Sequence, residues 1–267
     1  MVGKIRRIGL TAAAVTATIV GTMAFASLAS ANDGIKDGAP EIDFVNRGAP
    51  QWNFAEPTIA RKKQLTCWPS DAWPNGTQHT GNSEKVWPNA GSGCAAAGSK
   101  FPTYYNTAKC GSELRVAYFL YFPHDGFNGG GHRHDWENIA VVWKKDGNMW
   151  HRDSLKLSAH GGYKTVSWAN AESWSADKGS AGKGKEFPRV FVGWGKHAMH
   201  NDQGGLTDVA SNNVGPNYDH EYRSAAHSVW SSDGLVNASI NTDIGKKING
   251  ATWGDATGTP THANICG

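Results

Sequence analysis

The chain has only four cysteines in 267 residues and no Cys-x-x-Cys, so a thiol redox motif or a zinc knuckle has no support. It has no Gly-x-Ser-x-Gly, and with that the signature of a serine nucleophile elbow is missing. Internal repeats are absent. Leu and Ile are modest beside 12 Trp and 33 Gly, which points away from a helical bundle and toward a β-rich chain with many turns. A surplus of charge is also lacking. The formal net charge of +3 rests on Lys4, Arg6 and Arg7; from residue 32 onward 23 Lys+Arg stand against 23 Asp+Glu. Nucleic-acid binding thereby loses its electrostatic basis, because counterion release needs a concentrated positive face. Attraction to a membrane by charge alone is equally unsupported.

Residues 1–31 read as a secretory signal: a basic start, a run from Ile8 to Leu28 that is apolar and small, and Ala29-Ser30-Ala31 as a cleavage pattern. The run is rich in Ala, Thr and Ser rather than Leu, which makes it a poor permanent membrane span. Residues 32–267 then form one domain, long enough to bury a sizeable core. In an exported chain four cysteines mean two disulfides, with three possible pairings. Cys67 and Cys94 bracket a Trp/Pro/Gly/Asn-rich segment that gains from a staple and are paired on that ground. Cys110 and Cys266 remain, and joining them ties the C-terminal end to the start of the first strong strand.

From 32 to about 112 the sequence is rich in loops and proline, and only Glu56 to Gln64 has the makings of a short helix. Leu114 to Phe122 is apolar on both parities, as a strand covered on both faces would be; Pro123 is expected to end it, and 124–131 to form a glycine-rich loop. The next strand runs from Glu137 to Lys144, where Glu137, Ile139, Val141 and Trp143 share one parity, so a carboxylate heads the core-facing row. Lys145 to Asn148 is a hairpin turn by composition, with Met149 to Arg152 returning. Further short strands are expected at 154–159, 163–168 and 189–194, a surface loop at 175–186, and a helix at 219–230.

Chemistry is concentrated at 131–137, Gly-His-Arg-His-Asp-Trp-Glu. On a regular strand His132 and His134 would face one side, Asp135 and Glu137 the other. For His132, Asp135 and Glu137 to converge, residues 131–135 must turn, and Gly129–Gly131 allow that. Asp125 can join them if its strand is adjacent. Three carboxylates with one imidazole favour a hard divalent cation, Mg²⁺, Ca²⁺ or Mn²⁺, over zinc. The alternative is an ion-pair network centred on Arg133.

The heptapeptide resembles the signature of the necrosis- and ethylene-inducing peptide-like proteins, cytolysins secreted by plant-associated microbes. So do Ala117 to Asp125 ahead of it, His160-Gly-Gly-Tyr-Lys164 after it, and Trp194-Gly-Lys-His-Ala-Met-His200. Cys67 and Cys94 sit where that family carries its disulfide. The resemblance implies a central β-sandwich flanked by short helices and long loops, similar to actinoporins and fungal fruit-body lectins. It implies a divalent metal held by Asp125, His132, Asp135 and Glu137, in a cavity for a sugar head group that also involves Arg133, His134, His160, Trp194 and His197. The expected partner is the plant plasma membrane, through the sugars of its glycosyl inositol phosphorylceramides. Departures from the family pattern are a shorter loop after Asp125, His124 in place of the common Lys, and the Lys/Gly-rich 175–186 segment.

The expectation is therefore a secreted, extracellular, monomeric cytolysin rather than an enzyme. Solvent-exposed aromatics near the cavity, Trp194 or Phe187, are candidates for approaching lipid. A non-lytic lectin-like binder or elicitor of the same fold is the alternative. A metal-dependent hydrolase with His134 or His160 as general base comes third.

Overall fold

The computed structural model describes residues 34–56, 58–59, 62–83, 85–87, 89–127, 130–159, 162–175, 179–201, 228–229 and 234–267. In chain order its elements are β1 (Ile35–Lys36), α1 (Glu41–Gly48), β2 (Gln51–Phe54), β3 (Thr58–Ile59), β4 (Lys62–Lys63), β5 (Thr103–Cys110), β6 (Glu113–Phe127), β7 (Gly130–Asp146) and β8 (Met149–Ala159). They continue with β9 (Gly162–Ser167), β10 (Glu172–Ser175), β11 (Ser180–Lys183), β12 (Phe187–Val192), β13 (Met199–His200), β14 (Ser228–Val229), β15 (Leu235–Asn237) and α2 (Asp243–Gly250).

Among the described residues there are two main sheets. The larger has seven strands in the order β1-β8-β7-β6-β5-β15, with β9 alongside β8. The smaller has six, β11-β10-β12-β2-β14, with β13 alongside β12. The double-sided apolar pattern of β6 explains its place at the centre. One parity, Val116, Tyr118, Leu120 and Phe122, joins Ile139 and Val141 in a core that also holds Trp52, Phe54, Val190 and Val192 of the smaller sheet. The other parity, Ala117, Phe119 and Tyr121, joins Trp136 and Ala140 of β7, covered by Ala238, Ile248 and Trp253 from the C-terminal region. Each fully buried side chain of this kind contributes about 1.5–3 kcal/mol, which makes these two layers the main stabilising mass. α2 is capped by Thr242, whose hydroxyl accepts from the Gly245 N–H at 3.0 Å.

Both disulfides form as paired from the sequence, Cys67–Cys94 and Cys110–Cys266. Two disulfides suit an oxidising, extracellular compartment. Residues 1–31 and His160 lie outside the described residues.

Several expected elements change. The short helix over 56–64 is replaced by the β3–β4 hairpin, where β-branched Thr58 and Ile59 favour extended backbone. Met149 to Ala159 is one strand instead of two. The 175–186 segment contains β11, which pairs with β10. The helix at 219–230 falls mostly outside the described residues; of it only Ser228–Val229 are described, and these two pair antiparallel with β2.

The largest correction concerns the end of β6. Pro123 does not end the strand; β6 runs on to Phe127, and β7 begins at Gly130. β5 follows β6 only as far as Tyr104 opposite Phe119, so beyond that point the β6–β7 hairpin projects with one edge free of β5. Proline, which has no N–H to give a ladder, is tolerated in such a place. The register pairs Phe122 with Asp135 and His124 with Arg133, leaving Pro123 and His134 as the interruption between them.

Candidate metal centre

That interruption builds the site. His134 has φ +63°, a left-handed conformation that few non-glycine residues adopt. A strand with one such residue loses its strict alternation at that point. The turn needed to bring His132 round to Asp135 is therefore made at His134, where the sequence pointed to Gly129–Gly131. His197 is also left-handed, at φ +54°, so two of the three described non-glycine residues with positive φ are histidines of this region. Backbone strain of this kind costs about 1–3 kcal/mol each and collects at functional sites.

The hairpin register sets Asp125 directly opposite His132. His132 Nε2 lies 3.2 Å from Asp125 Oδ2. Its Nδ1 lies 2.7 Å from the carbonyl oxygen of His134, a position only an N–H can use. In neutral His132 the Nε2 lone pair thus faces a carboxylate oxygen, and a proton or a cation has to lie between them. On the neighbouring loop His197 sits with Nδ1 2.8 Å from Asp135 Oδ2 and its ring stacked on Phe122, centroids 3.9 Å apart. Asp125, Asp135 and His197 present ligand atoms all within 4.8 Å of one another, and all three are buried. This buried Asp-Asp-His group could hold a metal ion.

The electrostatics agree with the geometry. Burial, with the Asp125 charge second, holds the Asp135 carboxyl well above the ordinary carboxylate range. Burial and then Asp135 raise Glu137 as well, against the hydrogen bond from Ser158, which acts the other way. Burial pushes His197 down to about 4. Asp125 Oδ1 and His197 Nε2 are buried without a hydrogen-bond partner. Two orphaned acceptors beside carboxylates that burial holds toward their protonated form are the polar imbalance a divalent cation corrects. The group that meets here offers oxygen from Asp125 and Asp135 and nitrogen from His197, a donor set that suits such an ion. Lys196, 3.6 Å from Asp125, supplies positive charge at the rim.

A cavity of about 740 Å³ adjoins the cluster, with Asp125, His132, Asp135, Glu137, Ser158 and Lys196 in its lining. Lys156, Tyr163 and residues of the segment from Asp255 to Asn264 line it as well.

A family model for necrosis inducing protein (NPP1) matches residues 56–209, more than half of the chain. The chain belongs to the necrosis-inducing protein (NPP1) family. A curated relative, the necrosis-inducing protein NPP1 of Phytophthora nicotianae, is 30% identical over 129 residues, covering 41% of this chain; the chain spans about half (52%) of that relative's length. Among solved structures the fold is similar to NLPPya in complex with mannosamine, with a TM-score of 0.51 at 19% identity, covering 84% of this chain and 86% of that one. A second structure, NLPPya in complex with glucosamine, has a TM-score of 0.50 at the same identity and coverage.

Within this NPP1-family chain the expected cavity residues are dispersed. His134 points to the opposite face of β7, bonded through Nδ1 to the Tyr121 hydroxyl at 2.7 Å and edge-on to Trp253. Burial holds it down to about 4. Arg133 is exposed and donates to the Thr80 carbonyl at 3.0 Å. Neither lines the cavity. Trp194 is 0% exposed, its indole N–H 3.2 Å from Asn89 Oδ1 and its ring against Trp87, which corrects the expectation of a solvent-exposed aromatic. Phe187 is half-buried in β12 and does not line the cavity either. His197 moves the other way, from the cavity wall into the cluster. Sequence reasoning missed Ser158, which donates to Glu137 and accepts from the Asn138 N–H at 3.0 Å, and the whole wall from Asp255 onward.

Proposed function

We propose that the protein is a secreted, monomeric cytolysin that binds the sugar head groups of plant plasma-membrane sphingolipids through a divalent cation and then permeabilises the membrane. The leader at 1–31 directs export. Asp125, His132, Asp135 and Glu137 hold Mg²⁺ or Ca²⁺, with Mn²⁺ also suited to the donors. His197 orients Asp135 through its Nδ1–H, as an outer-shell histidine does. The cation supplies a Lewis-acidic contact for the vicinal hydroxyls of a sugar, and the cavity walls supply hydrogen bonds around it.

One observation carries the reading: buried, partly orphaned carboxylate and imidazole groups stand together beside a cavity that Asp125 and Asp135 line. NLPPya, which shares the fold, is seen with mannosamine and with glucosamine, and that supports a sugar as the occupant. Membership of a necrosis-inducing family supports a toxic outcome.

The test is dye release from vesicles containing plant glycosyl inositol phosphorylceramides, with and without a chelator. Cation-dependent release is expected. Binding without release would replace the cytolysin with a non-lytic, lectin-like binder. Appearance of free head group would establish a metal-dependent hydrolase instead.

A further inference from the structure

The part of the cavity wall that follows Trp253 has a construction of its own. Between Trp253 and Ile265 the chain alternates in role: Trp253, Ala256 and Ile265 are buried in the layer beneath the larger sheet, while Asp255, Thr257, His262 and Asn264 are exposed and line the cavity. Gly258 is held so close to β7 that a Cβ there would stand 2.7 Å from the Trp136 carbonyl oxygen, one residue from both Asp135 and Glu137. Side chains from the sheet grip the backbone of this segment. Asn106 donates to the Pro260 carbonyl at 2.9 Å, Arg115 to that of Ile265 at 2.8 Å and Lys156 to that of Gly267 at 2.7 Å. Cys266 is bonded to Cys110 across 156 residues of chain. A segment without helix or strand is thus fixed at one cavity wall by a disulfide, three hydrogen bonds and a backbone contact.

Tyr163, which also lines the cavity, presents a half-buried ring whose hydroxyl donates to Asn138 Oδ1 at 2.6 Å. An amphipathic ring facing a row of hydroxyl, amide and carboxylate groups has the chemistry to take a sugar ring. The aromatic packs on its C–H face while the polar side chains meet its hydroxyls. At about 740 Å³ the cavity is in the range that holds a drug-sized ligand, which is more than a single sugar fills.

We propose that Tyr163 and the clamped segment Asp255–Asn264 form a second glycan subsite, which takes the sugar adjoining the one held at the metal cluster. This rests on the sugar-binding reading above and adds to it the length of the ligand. The Cys110–Cys266 bond keeps the subsite assembled, since it anchors the wall beyond Asn264.

The test is calorimetric titration of the mature chain with glucosamine and with a glucosamine disaccharide, in the presence of Ca²⁺ or Mg²⁺. The disaccharide is expected to bind about tenfold tighter than the monosaccharide. Asn264→Ala, which removes a wall amide, and Gly258→Ala, which pushes the wall off Trp136, should bring that ratio down toward one. The double change Cys110→Ser/Cys266→Ser should do the same; Asn264→Ala, at an exposed position, decides the matter if the double variant does not fold. Equal affinity for the two sugars in the unaltered protein would overturn the second subsite alone, as would a ratio that survives both Asn264→Ala and Gly258→Ala. Failure of both sugars to bind would overturn the sugar reading and this subsite with it.

Discussion

The two faces of β7 around His134 use the same side chain in opposite ways. Each has an imidazole whose pKa burial holds near 4, His197 on one side and His134 on the other. His134 lies among aromatics, with Tyr121, Trp136 and Trp253 in mutual ring contact at 5.2–5.4 Å and its own Nδ1 satisfied by the Tyr121 hydroxyl. His197 lies beside Asp125 and Asp135, the second of which burial holds well above the ordinary carboxylate range, with its Nε2 left without a partner. The aromatic face is packing that holds the left-handed residue in place. The acidic face leaves acceptors unpaired beside carboxylates, as a group that could hold a metal ion does. A buried histidine with a depressed pKa does not identify a site; unpaired acceptors beside carboxylates do, whereas the unpaired group on the aromatic face is the Trp136 indole N–H, a donor.

Changes on the two faces should therefore separate stability from cation binding. The largest effect on stability is expected from Trp136→Ala, whose indole is 3% exposed and contacts Tyr104, Tyr121 and Trp253. Chemical denaturation should show a loss of about 3–5 kcal/mol. Asp135→Ala should instead leave the fold standing, because it removes a buried carboxyl that is costly to ionise. It should weaken cation binding by more than about 100-fold and abolish the rise in Tm that the cation gives the unaltered protein.

A pH series sharpens the same contrast. Asp135 and Glu137 hold protons in the cation-free protein at pH values above the ordinary carboxylate range, so binding the cation expels them. Affinity should rise with pH and fall as the pH drops through the raised titration range, by up to about tenfold per pH unit for each proton displaced. Titrations in buffers of different ionisation enthalpy would count those protons; no release would place the cation elsewhere. The smallest effect belongs to Arg133→Ala. Its guanidinium is exposed and holds a single loop carbonyl, so stability should change by within about 0.5 kcal/mol and cation affinity hardly at all. A large loss of affinity would return Arg133 to the site.

The sequence made the scaffold legible where burial pattern decides structure. The double-sided apolar run of Leu114–Phe122 placed β6 at the centre. The parity of Glu137 with Ile139, Val141 and Trp143 placed a carboxylate at the head of a core row. Adjacency of the two strands brought Asp125 opposite His132. What escaped notice depends on contacts distant in sequence or on backbone conformations that residue type does not announce. Nothing in the letters shows that His134, and not Gly130 or Gly131, takes the positive φ, because that choice follows from pairing across Pro123. His197 meets Asp135 from 62 residues away, through a loop without periodicity. The wall from Asp255 to Asn264 has neither helix nor strand, and its position comes from the Cys110–Cys266 bond and from side chains of β5, β6 and β8.

The most direct test of the central claim is metal content after chelation and reloading with Ca²⁺, Mg²⁺ or Mn²⁺, measured on the unaltered mature protein and on Asp135→Ala. The account predicts about one equivalent of cation per chain in the first and none in the second. Equal metal content in both, or none in either, would contradict it.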